Sequence, residues 1–245
     1  MHRFYLPKSE LKGKEAVLSG AEWHHCKNVL RSETGERVAV FDGEGTEYLA
    51  EIVSTSSKEA HLRLLSKSFS PPSTQAVALA QALPKNKAMD LIIQKATELG
   101  VREIIPVLSD RSTVRPDQEQ SAEKVERWKE IAIEAAKQCG LNWLPRIHPI
   151  RTVAQTVALR GDYHHAFIGS LQPDARPLWT YFAEKGSKNS AVLMIGPEGD
   201  FTPAELGAAR SAGFSPLSLG PLVLRSETAA IYSLSILRHE LQRPL

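Results

Sequence analysis

Cysteine is nearly absent. Cys26 and Cys139 are the two in 245 residues, which excludes a disulfide framework and points to a reducing compartment. No run approaches the roughly 18 apolar residues of a membrane helix, and the opening Met-His-Arg-Phe-Tyr-Leu-Pro-Lys-Ser-Glu has no apolar leader segment, so no secretory signal is expected. An excess of one charge is also missing. Thirty basic against 28 acidic residues leave +2, so a nucleic-acid partner has to be held by local patches. There is no P-loop lysine, no Gly-x-Ser-x-Gly elbow and no Gly-x-Gly-x-x-Gly turn after a first strand. These absences remove P-loop, serine-hydrolase and nicotinamide chemistry. What remains, 42% apolar and 24% charged, is the composition of a soluble globular protein of one large or two modest domains, expected in the cytoplasm.

Residues 1–72 read as a small β-rich domain. Arg37-Val-Ala-Val-Phe41 alternates, Asp42-Gly-Glu-Gly45 turns and 46–53 returns, a hairpin signal; 60–65 alternates again. Between them Ser19-Gly-Ala-Glu22 predicts a capped helix carrying Trp23, Cys26, Val29 and Leu30. The Ser- and Pro-rich stretch 66–74 reads as a linker. Residues 73–245 then alternate strand and helix. Strands are expected at 76–83, 104–108, 165–168, 191–195 and 215–219, and helices at 87–99, 121–138, 203–212 and 227–241. This is an α/β fold with a mostly parallel sheet covered on both faces. The word Val-Leu-Arg-Ser-Glu-Thr occurs at 29–34 and 223–228, but the flanks differ and it is a coincidence.

Two strand-to-helix junctions carry the site. Ile195-Gly-Pro-Glu-Gly-Asp200 follows an apolar strand and opens onto a helix with Thr202 as cap, Pro203 first and Glu205 completing a capping box. Leu219-Gly-Pro-Leu-Val-Leu-Arg-Ser-Glu-Thr-Ala-Ala230 repeats the arrangement, with Ser226 or Thr228 as cap. Sheet ligands sit at such junctions. Lys85, Lys87, Arg111 and Arg115 lie near strand ends and suit phosphates, or a solvated surface. Gln94, Lys95 and Glu98 share a helix face, where an ion pair is the simpler reading. His24, His25 and Cys26 cannot converge on one metal, since adjacent helical residues diverge by about 100°, and His164-His165 is no better; no metal is expected.

Leu83-Pro-Lys-Asn-Lys87, Leu91-Ile-Ile-Gln-Lys-Ala-Thr-Glu-Leu-Gly-Val101, Glu103-Ile-Ile-Pro106 and the two junctions together resemble the RsmE family of ribosomal-RNA uridine-N3 methyltransferases. His24-His-Cys-Lys-Asn-Val-Leu-Arg31 and Phe41-Asp-Gly43 do so too. The resemblance implies a PUA-like RNA-binding β-barrel followed by a SPOUT methyltransferase domain, an α/β-knot whose C-terminal chain threads a deep trefoil knot. It implies a homodimer, S-adenosyl-L-methionine as cofactor, and 16S rRNA in the small ribosomal subunit as substrate. The cofactor would meet three loops: Gly169 and Leu171; Ile195, Gly196 and Gly199; and Leu219, Gly220, Leu224, Thr228 and Ala229. Asp200 stands where the family often has glycine, and Ser226 where threonine is common.

Methylation at N3 requires removal of the imide proton and stabilisation of the anion. Arg225 is the candidate for the charge, or alternatively for the target phosphate, with Glu227 or Glu198 as base. The target base has to be unstacked to expose its Watson–Crick edge. Arg3, Lys27 and Arg31 are candidates for RNA docking by the first domain, and Lys85, Lys87, Arg111 and Arg115 by the second. A non-catalytic RNA-binding module that clamps backbone with Gly-Pro-Glu-Gly is the alternative; KH loops of that kind lie between helices, whereas a strand precedes here.

Overall fold

The computed structural model describes residues 1–11, 13–24, 26–27, 32–185 and 189–242. The chain divides into two compact units, Met1–Pro72 with Ala136–Leu144, and Ser73–Ala135 with Pro145–Leu245. A single cut after residue 72, as the sequence suggests, omits the stretch 136–144 that clusters with the first unit.

The first unit is a five-stranded sheet. Its elements are β1 (Arg3–Tyr5), β2 (Glu15–Ser19), the short helix α1 (Gly20–His24), β3 (Arg37–Phe41), β4 (Thr46–Thr55) and β5 (Glu59–Phe69). The strand order is β1-β3-β4-β5-β2, with β1 parallel to β3 and the other pairs antiparallel. Phe4, Leu18, Val38, Val40, Ile52 and Leu62, all fully buried, fill one face. The expected hairpin is β3–β4. Asp42 Oδ1 shapes its turn by accepting the N–H groups of Glu44 at 2.8 Å and Thr46 at 2.9 Å. Gly45 has φ +95°, and a Cβ there would lie 2.6 Å from the Trp143 ring. Trp143 thus packs flat on a backbone that only glycine provides. One expectation changes. Residues 66–69 are not linker but the end of β5, paired with β4 from Ser66↔Leu49 to Phe69↔Thr46. The helix after Ser19 is described over Gly20–His24, Cys26 and Lys27 are again helical, and Val29, Leu30 and Arg31 lie outside the described residues.

The second unit holds β6 (Ala76–Ala82), α2 (Ala88–Glu98), β7 (Glu103–Leu108), most of α3 (Gln118–Cys139), β8 (Arg146–Ile147), β9 (Arg151–Thr152), α4 (Val153–Val157), β10 (His165–Gly169), α5 (Leu178–Lys185), β11 (Ser190–Ile195), α6 (Pro203–Ser211), β12 (Ser215–Leu217) and α7 (Ser226–Leu241). Its sheet runs β12-β10-β11-β6-β7-β8 with β9 beside β7, and every pair is parallel. Both faces are covered, as continuous apolar strands such as Ala-Val-Leu-Met-Ile require. Ile92, Ile93, Trp128, Phe182, Leu234 and Leu237 cover one face; Val153, Phe201, Leu206, Ala209 and Phe214 cover the other. The chain builds β6, β7 and β8 outward in one direction, then returns to place β11 beside β6 with β10 and β12 beyond it. The carboxyl ends of these strands flank the point where the order reverses, the usual crevice for ligands in such sheets.

Candidate active site

Three loops leave the carboxyl ends of β10, β11 and β12 and converge on one concavity. Gly169 and Leu171 come from the first, Ile195 and Gly196 from the second, and Leu219, Gly220, Leu224 and Ala229 from the third. These are eight of the ten residues expected to meet a cofactor. Gly199 and Thr228 do not line it. The concavity adds Ser170, Pro197, Glu198, Asp200, Leu222, Val223 and Ser226; all but Ser170 lie within the two junction words, and Ser170 carries no signature of its own.

Local physics sets each loop. A Cβ on Gly169 would lie 3.3 Å from Ile195 Cδ1, and one on Gly196 would lie 3.4 Å from both Asp200 Oδ1 and the Phe201 ring. The first two loops are therefore packed against their own neighbours at the glycines. Asp200 has φ +60°, a left-handed conformation that aspartate tolerates through local hydrogen bonding; its Oδ1 accepts Phe201 N–H at 2.7 Å. The position where the family often carries glycine thus keeps a glycine-like backbone. Next, Thr202 Oγ1 accepts Glu205 N–H and Glu205 Oε2 accepts Thr202 N–H, the capping box expected for α6.

Buried polar groups tie the loops together. Ser226 does not cap α7: the N-cap is Arg225, with no side-chain cap. Instead Ser226 Oγ donates to Gly196 O at 2.7 Å and accepts from Gln81 Nε2 at 2.9 Å. Gln81, on β6, is wholly buried. The relay joins the middle of the sheet, the second loop and the start of α7. It escaped the sequence reading because glutamine in an apolar strand carries no motif. The Gly-Pro-Glu-Gly turn is also held from outside. Lys85 N–H donates to Glu198 Oε1 at 2.9 Å, Arg111 Nη1 to Gly199 O at 2.9 Å, and Asp110 N–H to the buried Glu205 at 2.8 Å.

The charged candidates separate accordingly. Glu198 lines the concavity, whereas Arg225 and Glu227 do not. Arg225 is exposed, and Glu227 is half-buried in the first turn of α7. Arg111 and Arg115 shape loops: Arg115 Nη2 donates to Asp110 O at 2.6 Å. Lys85 and Lys87 are exposed. In the first unit Arg3 is bound to Glu47 at 3.2 Å and Asn142 at 2.7 Å and lies over the Phe41 ring, so it is a structural residue there. Lys27 lies over Trp23 at 5.8 Å. Arg31 lies outside the described residues. Lys95 and Glu98 form the ion pair expected of them, at 2.8 Å. Among the described residues no cluster of His, Cys, Asp and Glu could hold a metal ion, and no helix is long and apolar enough to cross a membrane.

The lining is therefore mostly apolar side chain and backbone, with Ser170 and Ser226 as polar residues and Glu198 and Asp200 as its charged groups. Such a surface suits a flat apolar ring with hydrogen-bonding edges, and it disfavours a pyrophosphate.

Known proteins agree with this architecture. Residues 71–238 match the model of an RNA methyltransferase domain, and residues 18–65 that of an RNA methyltransferase PUA domain. Ribosomal RNA small subunit methyltransferase E of Synechocystis is 32% identical, with 96% of this chain and 76% of that protein covered. The Bacillus subtilis protein of the same name is 29% identical over 98% and 97%. Among solved structures, a Legionella pneumophila protein in complex with bound SAM is 35% identical, with a TM-score of 0.90 over 97% of this chain and 96% of that one. Ribosomal RNA small subunit methyltransferase E from Neisseria gonorrhoeae, bound to S-adenosyl methionine, is 31% identical, with a TM-score of 0.88 over 97% of each chain. Resemblance over the full length, in sequence and in backbone, places this chain in the ribosomal RNA small subunit methyltransferase E family.

Proposed function

We propose that the protein methylates N3 of a uridine in 16S rRNA of the small ribosomal subunit, with S-adenosylmethionine as methyl donor. The observation that carries this reading is the three-loop concavity, whose charged lining is acidic and whose remainder is mostly apolar, with Ser170 and Ser226 as its polar residues. The residues fit the donor. Ile195, Leu219 and Leu224 offer apolar walls to an adenine, the loop backbone offers hydrogen bonds to its edges, and Glu198 and Asp200 complement a positive sulfonium. When bound, S-adenosylmethionine supplies an electrophilic methyl group. The chain's own groups do the rest. Glu198 or Glu227 takes the N3 proton. Lys85 N–H on Oε1 fixes the Glu198 carboxylate and leaves Oε2 for the proton. Arg225, exposed at the N-cap of α7, stabilises the charge that spreads onto the uridine carbonyls. Preorganised donors of this kind contribute about 3 kcal/mol.

The reading includes a trefoil knot formed by the C-terminal chain, a homodimer and a cytoplasmic location. A dimer is supported by large apolar groups exposed on the third loop and α7: Leu222, Val223 and Tyr232. The unit containing the PUA-type match supplies RNA docking.

The test incubates the protein with methyl donor and undermodified small subunits and identifies the product nucleoside by mass spectrometry. N3-methyluridine is expected; a ribose-methylated product, or another base, would refute the assignment. Arg225→Ala should lower turnover by about 10²-fold with calorimetric affinity for the donor nearly unchanged. Loss of donor affinity alone would move Arg225 to the cofactor site.

A further inference from the structure

A second cavity, of about 130 Å³, opens among the loops that follow the carboxyl ends of β6 and β7. Pro84, Asn86 and Lys87 come from the β6–α2 loop, Val114 from the β7–α3 loop, and Lys124 and Arg127 from α3. We propose that it receives a backbone phosphate of the RNA strand beside the target uridine. This rests on the proposed function and extends it to Lys124 and Arg127, which no motif marks.

The charge balance carries the inference. Three cations, Lys87, Lys124 and Arg127, face one carboxylate, Asp90, and Asp90 is already paired with Arg127. Lys87 and Lys124 have no carboxylate partner among the described residues. Lys124 is half-buried, and an anion received in the cavity beside it gains more than at an open surface. The inner wall is apolar: Met89 and Trp128 are each 4% exposed, which lowers the local dielectric further.

Position supplies the second argument. Asn86 has φ +54°; with Asp200 it makes the pair of non-glycine residues in the left-handed region among those described. Asp200 belongs to the cofactor concavity, and strained backbone of this kind concentrates at ligand loops. Between Pro84 and Asn86 lies Lys85, whose N–H holds Glu198 of that concavity. Neighbouring Cα atoms are about 3.8 Å apart, so the cationic cavity starts one residue from the contact that fixes the proposed base. A base delivered to Glu198 brings its flanking phosphates to this side. Phosphate also matches what the cavity offers, the cationic donors of Lys87, Lys124 and Arg127.

The experiment compares wild type with Lys87→Ala/Lys124→Ala and the charge-keeping Lys87→Arg/Lys124→Arg. Affinity for an RNA fragment spanning the methylated site is measured from 50 to 300 mM salt, with KM for undermodified subunits and calorimetric donor affinity. The alanine pair should weaken RNA binding and raise KM about ten-fold or more. The slope of log K against log salt should flatten by about 0.7–0.9, the value of one phosphate. The arginine pair should restore both, and donor affinity should hold. Unchanged RNA affinity, or a loss with an unaltered slope that arginine does not rescue, would overturn the proposal. If wild type binds RNA with the expected slope yet forms no N3-methyluridine, the activity assignment fails while the phosphate site stands.

Discussion

Ser226→Ala tests whether the buried relay positions the second loop. The substitution removes the donor to Gly196 O at 2.7 Å and one of the two acceptors of Gln81 Nε2, the other being Ala82 O at 2.9 Å. Gly196 is only half-buried, so its carbonyl can turn to water at small expense. Gln81 is fully buried, and its Oε1 already lacks a partner. A buried polar group left short of a hydrogen bond costs about 1–3 kcal/mol, so Ser226→Ala should destabilise by about 2 kcal/mol. In a chain of this size that lowers Tm by roughly 4–8 °C. Gln81→Leu removes the under-bonded amide outright and leaves Ser226 bonded to Gly196, so about 1 kcal/mol is expected. The double variant should be less destabilised than the two singles together, by at least about 0.5 kcal/mol. Urea unfolding of the four proteins reads the coupling. Calorimetry with S-adenosylmethionine reads the consequence: Ser226→Ala weakens binding, and Ser226→Thr, which keeps the hydroxyl, restores it. Additivity within about 0.3 kcal/mol, or unchanged donor affinity in Ser226→Ala, would refute the relay as a positioning device.

Glu205→Ala leaves Thr202 N–H and Asp110 N–H without their carboxylate and should cost about 2–4 kcal/mol. Glu205→Gln, which keeps an acceptor, should cost less in the same thermal melts. Gly45→Ala places a Cβ 2.6 Å from a Trp143 ring fixed by its own bond to Ser70 O, at φ +95°. Destabilisation by about 2–5 kcal/mol is expected in urea, and a neutral outcome would mean that the turn repacks. Burial and the nearby Glu103 carboxylate push the Tyr163 hydroxyl well above its ordinary value. Because the folded value is the higher one, this contribution is intact below about pH 10 and lost as pH rises further. Tyr163→Phe should therefore flatten the alkaline limb of stability against pH; an unchanged limb would assign it to other groups.

The parts of the fold that were legible are those fixed by local chemistry. The Thr202–Glu205 box and the buried strands β6, β7, β10 and β11 needed only a short window of sequence. Helix ends at Gly100 and Gly140, with φ +68° and +79°, could be read the same way. What escaped depends on partners far along the chain. The three-residue β1 exists because it pairs with β3. The polar Ser66-Lys-Ser end of β5 is a strand because β4 runs beside it, although its composition resembles a linker. Ser226 sits where a cap belongs, yet its hydroxyl serves Gly196 and Gln81 instead. At the site, the glycine loops announced themselves; the cations of α3 did not, because a helix of alternating charge reads as a solvated face until the cavity beside it is seen.

The first unit is interrupted in sequence, since residues 73–135 separate its last piece, Ala136–Leu144, from the rest. During synthesis at about 5–20 residues per second, the hairpin turn at Gly45 therefore waits several seconds for Trp143. Until then the apolar side of that turn is open while the chain is still attached to the ribosome. A nascent chain arrested before residue 143 should be more easily cleaved by protease in the β4–β5 region than one released past residue 150.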